Sequence, residues 1–150
     1  MEHTIQSHKF TQARNKLTAI IDEVQRNYPQ IIKKRKASED DVFIIKSSLL
    51  RLALSMGVGR RFKATSEAEK DGSWTITLEP FGLAVNAATK ETAVKDLLDD
   101  ARIYAEEFLQ HRSLYLQSKN RKEHLPFVIQ ILLCTTDEEL KETLRLAYIS

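Results

Sequence analysis

KFTQARNKLTAIIDEVQRNYPQIIKKR, residues 9–35, is the stretch whose periodicity decides the fold of the first part of the chain. Phe10, Ala13, Leu17, Ile20, Ile21 and Val24 recur at steps of three and four, which lays them on one stripe of a 3.6-residue helix. Arg14, Lys16, Asp22, Glu23 and Arg26 fall off that stripe. The pattern predicts one helix, capped by the Thr11 hydroxyl with Phe10 just outside it, running to about Asn27. Tyr28-Pro29 is the expected stop, because proline disfavours the helical region for the residue before it. A strand at Ile31 to Arg35 follows directly.

Working outward, a short first strand is expected around Thr4-Ile5-Gln6, and the Ile31 strand is expected to form a hairpin with Val42 to Lys46 across a polar turn at residues 36–41. Ser47 or Ser48 then caps a helix whose Leu49, Leu50, Leu52, Ala53, Leu54 and Met56 leave almost no polar face. That helix is expected to be buried against another chain or another part of this one, and to end at Gly57 and Gly59. Past Arg61 the period changes. Residues 62–68 alternate weakly, Lys70-Asp71-Gly72 reads as a hairpin turn, and Ser73 to Leu78 alternates polar with apolar as a half-buried strand does. After Glu79-Pro80-Phe81-Gly82 comes a third strand at Leu83 to Ala87, then a helix capped at Thr89 with the stripe Ala93, Val94, Leu97, Leu98, Ala101, Tyr104, Ala105 and Phe108. The remainder reads as helical, with Leu125 to Cys134 largely apolar and S/T-x-x-E capping boxes at Thr135 and Thr136.

Composition narrows the function. With 150 residues, 42% of them apolar, the chain can bury a core, and its longest apolar run, Val128 to Cys134, is far too short for a membrane span. Residues 1–24 carry charges throughout and no central apolar block, so a signal peptide is not expected and a cytoplasmic protein is. The net charge of +2 is unevenly spread: +6 over residues 1–61, −4 over 62–112 and 0 over 113–150. A positive field at one end points to an anionic partner there, although a solvated basic surface also accounts for Lys33-Lys34-Arg35-Lys36.

No catalytic, metal-binding or cofactor-binding residue is assigned. Cys134 is the only cysteine, which excludes an internal disulfide. His3, His8, His111 and His124 lie in separate segments without H-E-x-x-H spacing, and Gly57-Val58-Gly59 lacks the third glycine of a phosphate-cradling loop. Glu67, Glu69 and Asp71 alternate beside a turn and read as a solvated hairpin edge, and Asp99-Asp100 and Glu106-Glu107 lie opposite the apolar stripe of their helix.

Two resemblances add to this reading. Thr11-Gln12-Ala13-Arg14-Asn15-Lys16-Leu17, with the strands at residues 29–35 and 42–47 and the helix after them, is similar to the Phd/YefM antitoxins. Asp71-Gly72-Ser73-Trp74 through Gly82, followed by Thr89-Lys90-Glu91-Thr92-Ala93, looks like the HicB-type ββα module. The expected fold is therefore α+β: a Phd/YefM-like dimerisation and DNA-binding domain at 1–59, a HicB-like three-stranded antiparallel sheet with a covering helix at 60–112, and C-terminal helices at 113–150. The first resemblance implies that Arg14, with Lys9, Asn15 and Lys16 beside it, meets operator DNA, since phosphate neutralisation dominates affinity and an Arg fork or Asn amide can read base edges. A surface ion pair is the other role open to Arg14.

Pairing has its own support, because so small and apolar an N-terminal unit has more apolar surface than it can bury alone. Ile31, Ile32, Phe43, Ile44 and Ile45, with Leu49 and Leu52 nearby, are the expected core of a homodimer or higher homo-oligomer. The Phd/YefM resemblance implies a non-enzymatic type II antitoxin that neutralises a co-encoded RelE-type RNase and represses its own operon. The alternative is a ligand- or partner-binding regulator that uses its N-terminal fold only for pairing.

Overall fold

The computed structural model describes residues 5–57 and 61–149, which form an α+β chain of two compact units, 1–52 and 53–150. In the first unit β1 (Gln6–His8) leads into α1 (Phe10–Asn15) and α2 (Leu17–Gln25), then β2 (Gln30–Ile32) and β3 (Val42–Ile44). β2 is the middle strand, parallel to β1 and antiparallel to β3, with Ile31 opposite both Ser7 and Phe43. Helices α1 and α2 thus serve as the crossover that a parallel strand pair requires. The part of the expected first strand at Thr4 lies outside the described residues.

The single helix expected from the opening stretch is two. Lys16 sits at φ −117°, ψ 21°, and its N–H is shared between the Gln12 and Ala13 carbonyls at 3.0 and 3.3 Å, so one helix closes there before the next opens. Thr11 is not the cap either: the N-cap is Lys9, which makes no side-chain capping bond, and Phe10 is the first helical residue. Nor does Pro29 end α2. Asn27 does, in the left-handed conformation at φ 67°, with its N–H on the Val24 carbonyl and the Tyr28 N–H on the Glu23 carbonyl. That pair of bonds is a Schellman ending, in which asparagine takes the place usual for glycine.

The stripe itself is half right. Ala13, Ile20 and Val24 are buried, whereas Phe10, Leu17 and Ile21 are each at least 40% exposed. Gln30 is buried beside them; its amide donates to the Tyr28 carbonyl at 3.1 Å and its oxygen accepts from His8 Nε2 at 2.8 Å, tying edge strand β1 to β2. Helix α3 (Ser47–Met56) follows β3, and none of its residues is buried; Leu52 and Met56 stand well out. Gly57 closes its last turn onto the Leu54 carbonyl, and Gly59 lies outside the described residues.

In the second unit β4 (Lys63–Ala68), β5 (Trp74–Glu79) and β6 (Leu83–Ala87) form an antiparallel meander in that order. The first turn carries Gly72 at φ 87°, where a side chain would be strained, and Asp71 Oδ1 accepts from both the N–H and the hydroxyl of Ser73. Strand alternation puts Ala64, Trp74, Ile76, Leu78, Leu83 and Val85 on the core side. The other side is a hydroxyl and amide surface in which Asn86 donates to Ser73 and Thr75.

Helix α4 (Lys90–Gln110) starts at Thr89, whose hydroxyl accepts the Thr92 N–H. Its buried residues Ala93, Leu97, Leu98, Ala101, Tyr104, Ala105 and Phe108 follow the stripe read from the sequence. Beyond it come α5 (Arg112–Tyr115), α6 (Lys119–Lys122), α7 (Leu125–Leu132), α8 (Asp137–Thr143) and a 3-10 turn at Leu146–Tyr148. Thr136 caps α8, and Glu139 reaches back to the N–H and hydroxyl of Thr135. Residues 60–112 and 113–150 share one core, since Phe127, Val128, Ile131, Leu140, Leu144 and Leu146 cluster with the sheet and α4.

Candidate functional site

The four residues singled out for DNA lie on one short helix and its ends. Lys9 holds the N-cap of α1, Arg14 and Asn15 close its last turn, and Lys16 is the joint to α2. All four are exposed, and among the described residues none of their side chains makes a hydrogen bond or ion pair, so the surface ion pair open to Arg14 does not form. The joint at Lys16 matters to this surface, because it ends α1 within two residues of Arg14.

The second basic run behaves differently. Lys33 Nζ pairs with Asp41 at 2.8 Å, Arg35 pairs with Glu39 at 2.5 Å, and the Arg35 guanidinium also lies 5.0 Å from the centre of the Phe10 ring. The hydrogen bond from Arg35 holds the Glu39 carboxyl below the usual carboxylate range, and the bond from Lys33, joined by the Lys34 N–H, does the same for Asp41. Half of the Lys33 to Lys36 run is therefore engaged in closing its own loop, with Glu39 and Asp41 as the acids.

The residues expected to pair two chains divide between faces. Register places Ile31 and Phe43 on one side of the first sheet and Ile32 and Ile44, with the buried Gln30, on the other. Ile31, Ile32, Ile44, Ile45 and Leu49 are half-buried, whereas Phe43 and Leu52 are about half exposed or more. Phe10, Leu17, Ile21 and Val42 add to the exposed apolar surface, residues that the sequence reading did not name among those expected to pair two chains.

The family model PHD_like, described as antitoxin of toxin-antitoxin, RelE / RelB, TA system, matches residues 2–146. The chain belongs to this antitoxin family. A solved structure from Syntrophomonas wolfei subsp. wolfei, described as an antitoxin part of a toxin/antitoxin system, is similar in fold, with a TM-score of 0.70 at 24% identity over 97% of this chain and 96% of that one. No curated protein matches.

The second unit of this antitoxin carries a polar cluster that the sequence reading did not anticipate. Tyr104, almost fully buried, has its hydroxyl 2.5 Å from His124 Nδ1 and accepts from Arg121 at 2.9 Å, while the Arg121 guanidinium lies over the Tyr104 and Tyr115 rings. Phe81 stacks against both Tyr104 and His124. Burial, helped by the Arg121 charge, lowers the His124 pKa below the usual 6.5, and the opposing Pro80 carbonyl and Glu79 and Glu123 carboxylates do not reverse this. A group that protonates more readily unfolded than folded removes stability as pH falls. The antitoxin is expected to keep the full His124 contribution above about pH 6.5 and to lose it progressively below that value. Urea midpoints at pH 7.5 and 5.5 check this: the drop is smaller in His124→Gln, and an unchanged drop in that variant refutes the assignment.

The carboxylates considered for catalysis are dispersed. Glu69 accepts from Thr75, Asp71 shapes its turn, Glu107 accepts from Tyr115, and Asp99 lies 3.9 Å from Arg102. Among the described residues no three His, Cys, Asp or Glu side chains assemble to hold a metal ion, and no helix is long and apolar enough to cross a membrane.

Proposed function

We propose that this antitoxin is a cytoplasmic repressor of its own operon: its first unit pairs two copies and presents Lys9, Arg14, Asn15 and Lys16 to operator DNA, and the chain also sequesters a co-encoded RelE-type RNase. The observation that carries the DNA reading is the set of exposed side chains around Arg14 with no partner among the described residues, beside a second basic run in which Lys33 and Arg35 are paired with acids of their own loop. Three cations and an amide on one short helix and its two ends match the chemistry of a phosphate backbone and of base edges. For the toxin, the acidic 62–112 segment is the favoured surface, with Asp96, Asp99 and Glu106 exposed along α4 and suited to a basic RNA-cleaving partner. The resemblance of residues 71–93 to the HicB-type module favours the same surface.

A mobility-shift assay with the DNA upstream of the gene tests the repressor reading. Binding is expected to prefer that DNA over random duplex, to weaken steeply with salt, and to fall about 5- to 150-fold in Arg14→Ala, the equivalent of about 1–3 kcal/mol. Equal affinity for both duplexes would overturn it and favour a regulator that uses the first unit for pairing alone.

A further inference from the structure

The two edges of the second sheet are built differently. Outer strand β4 carries Lys63 and Glu67 and runs into a turn with Glu69, Lys70 and Asp71, charges of the kind that guard an open edge. Outer strand β6, Leu83-Ala84-Val85-Asn86-Ala87, has no charge and no proline. It is hydrogen-bonded to β5 along its whole length, and among the described residues no backbone hydrogen bond joins it to anything else. A regular, uncharged edge offers an unpaired row of N–H and C=O groups to another strand.

We propose that β6 is an interface between copies of this chain, paired antiparallel with β6 of a second copy about a two-fold axis at Val85. The strand is self-complementary in that register. Leu83 stands opposite the second copy's Ala87, Ala84 opposite its Asn86, and Val85 opposite its Val85, so no like charges meet and no bulky pair collides. The alternation also holds: Leu83, Val85 and Ala87 continue the half-buried side that packs on the core, and Ala84 and Asn86 continue the exposed side. Pairing the same edge on both copies joins two three-stranded sheets into one of six and closes, whereas β6 against the charged β4 of another copy would leave an edge free and propagate. This is what favours a second copy over an unrelated strand. The contact is short, which makes it weak by itself, and it is independent of pairing through the first unit.

Cross-linking captures a weak contact. Ala84→Cys and Asn86→Cys are made separately in a Cys134→Ser background and oxidised with glutathione disulfide, alone and mixed. A covalent dimer is expected in the mixture and not in either variant alone, because two copies of position 84 would lie about 8 Å apart, beyond disulfide reach. No excess of dimer in the mixture overturns the proposal. Hydrogen exchange on the unsubstituted chain gives a second reading: the β6 amides that do not bond to β5 are expected to gain protection as protein concentration rises while those of β4 do not, also in Phe43→Glu. Protection that is independent of concentration would equally refute it.

Discussion

Phe108→Ala is expected to remove about 3–5 kcal/mol of the stability of the second unit. Phe108 is wholly buried at the end of the long helix, within the core formed by the sheet, α4 and the C-terminal helices, and its ring meets Tyr115 edge-on at 5.4 Å between centroids. Truncation loses the transfer energy of the ring and leaves a cavity that residues from several elements must collapse into. Trp74 is the single tryptophan and packs against the same core, so its fluorescence during urea unfolding reports this unit. Leu109→Ala is the control: with 40% of Leu109 exposed, its loss is expected to be about 1 kcal/mol or less. A Phe108→Ala loss no larger than that of the control would mean that the core is not packed around this ring.

Phe43→Glu is expected to weaken pairing through the first unit on the order of 100-fold, or about 3 kcal/mol. Phe43 is 49% exposed in one chain, so a carboxylate there stays in water and the unit folds. In a pair that covers the Ile31 and Phe43 face, the same carboxylate is buried without a partner. The expectation of pairing rests on how little the unit buries for itself: among its described residues Ala13, Ile20 and Val24 are the buried apolar side chains, while Phe10, Leu17, Val42 and Phe43 are each about half exposed. Light scattering across a concentration series checks the mass, and circular dichroism confirms that the fold survives. An unchanged mass, with folding intact, would move the interface to another surface.

Where sequence and structure agree, the signal is local. The period of Ala93 to Phe108, the Thr89 and Thr136 hydroxyl caps and the Gly72 turn each depend on residues within a few positions of one another. The misses have local causes too, but competing ones. The break at Lys16 carries no proline or glycine to announce it, and Asn27 ended α2 by adopting the left-handed conformation before Pro29 could act. The exposure of Lys9, Arg14, Asn15 and Lys16 was legible because charge type and distance from the apolar stripe are both written in sequence order. The engagement of Lys33 and Arg35 was not, because it depends on how the 33–41 loop folds back on itself.

The sequence by itself determined an α+β chain, the order of its elements, its uneven charge and the inner face of its longest helix, because propensity, periodicity and charge are properties of neighbouring residues. Only the tertiary structure decided that half of the first helical stripe faces water, that Gln30 and His8 bond across parallel strands, that Tyr104, Arg121 and His124 form one cluster, and that β6 ends its sheet uncharged. Each of these depends on which distant segment arrives, and a burial pattern can be read from periodicity only as far as something is there to cover it.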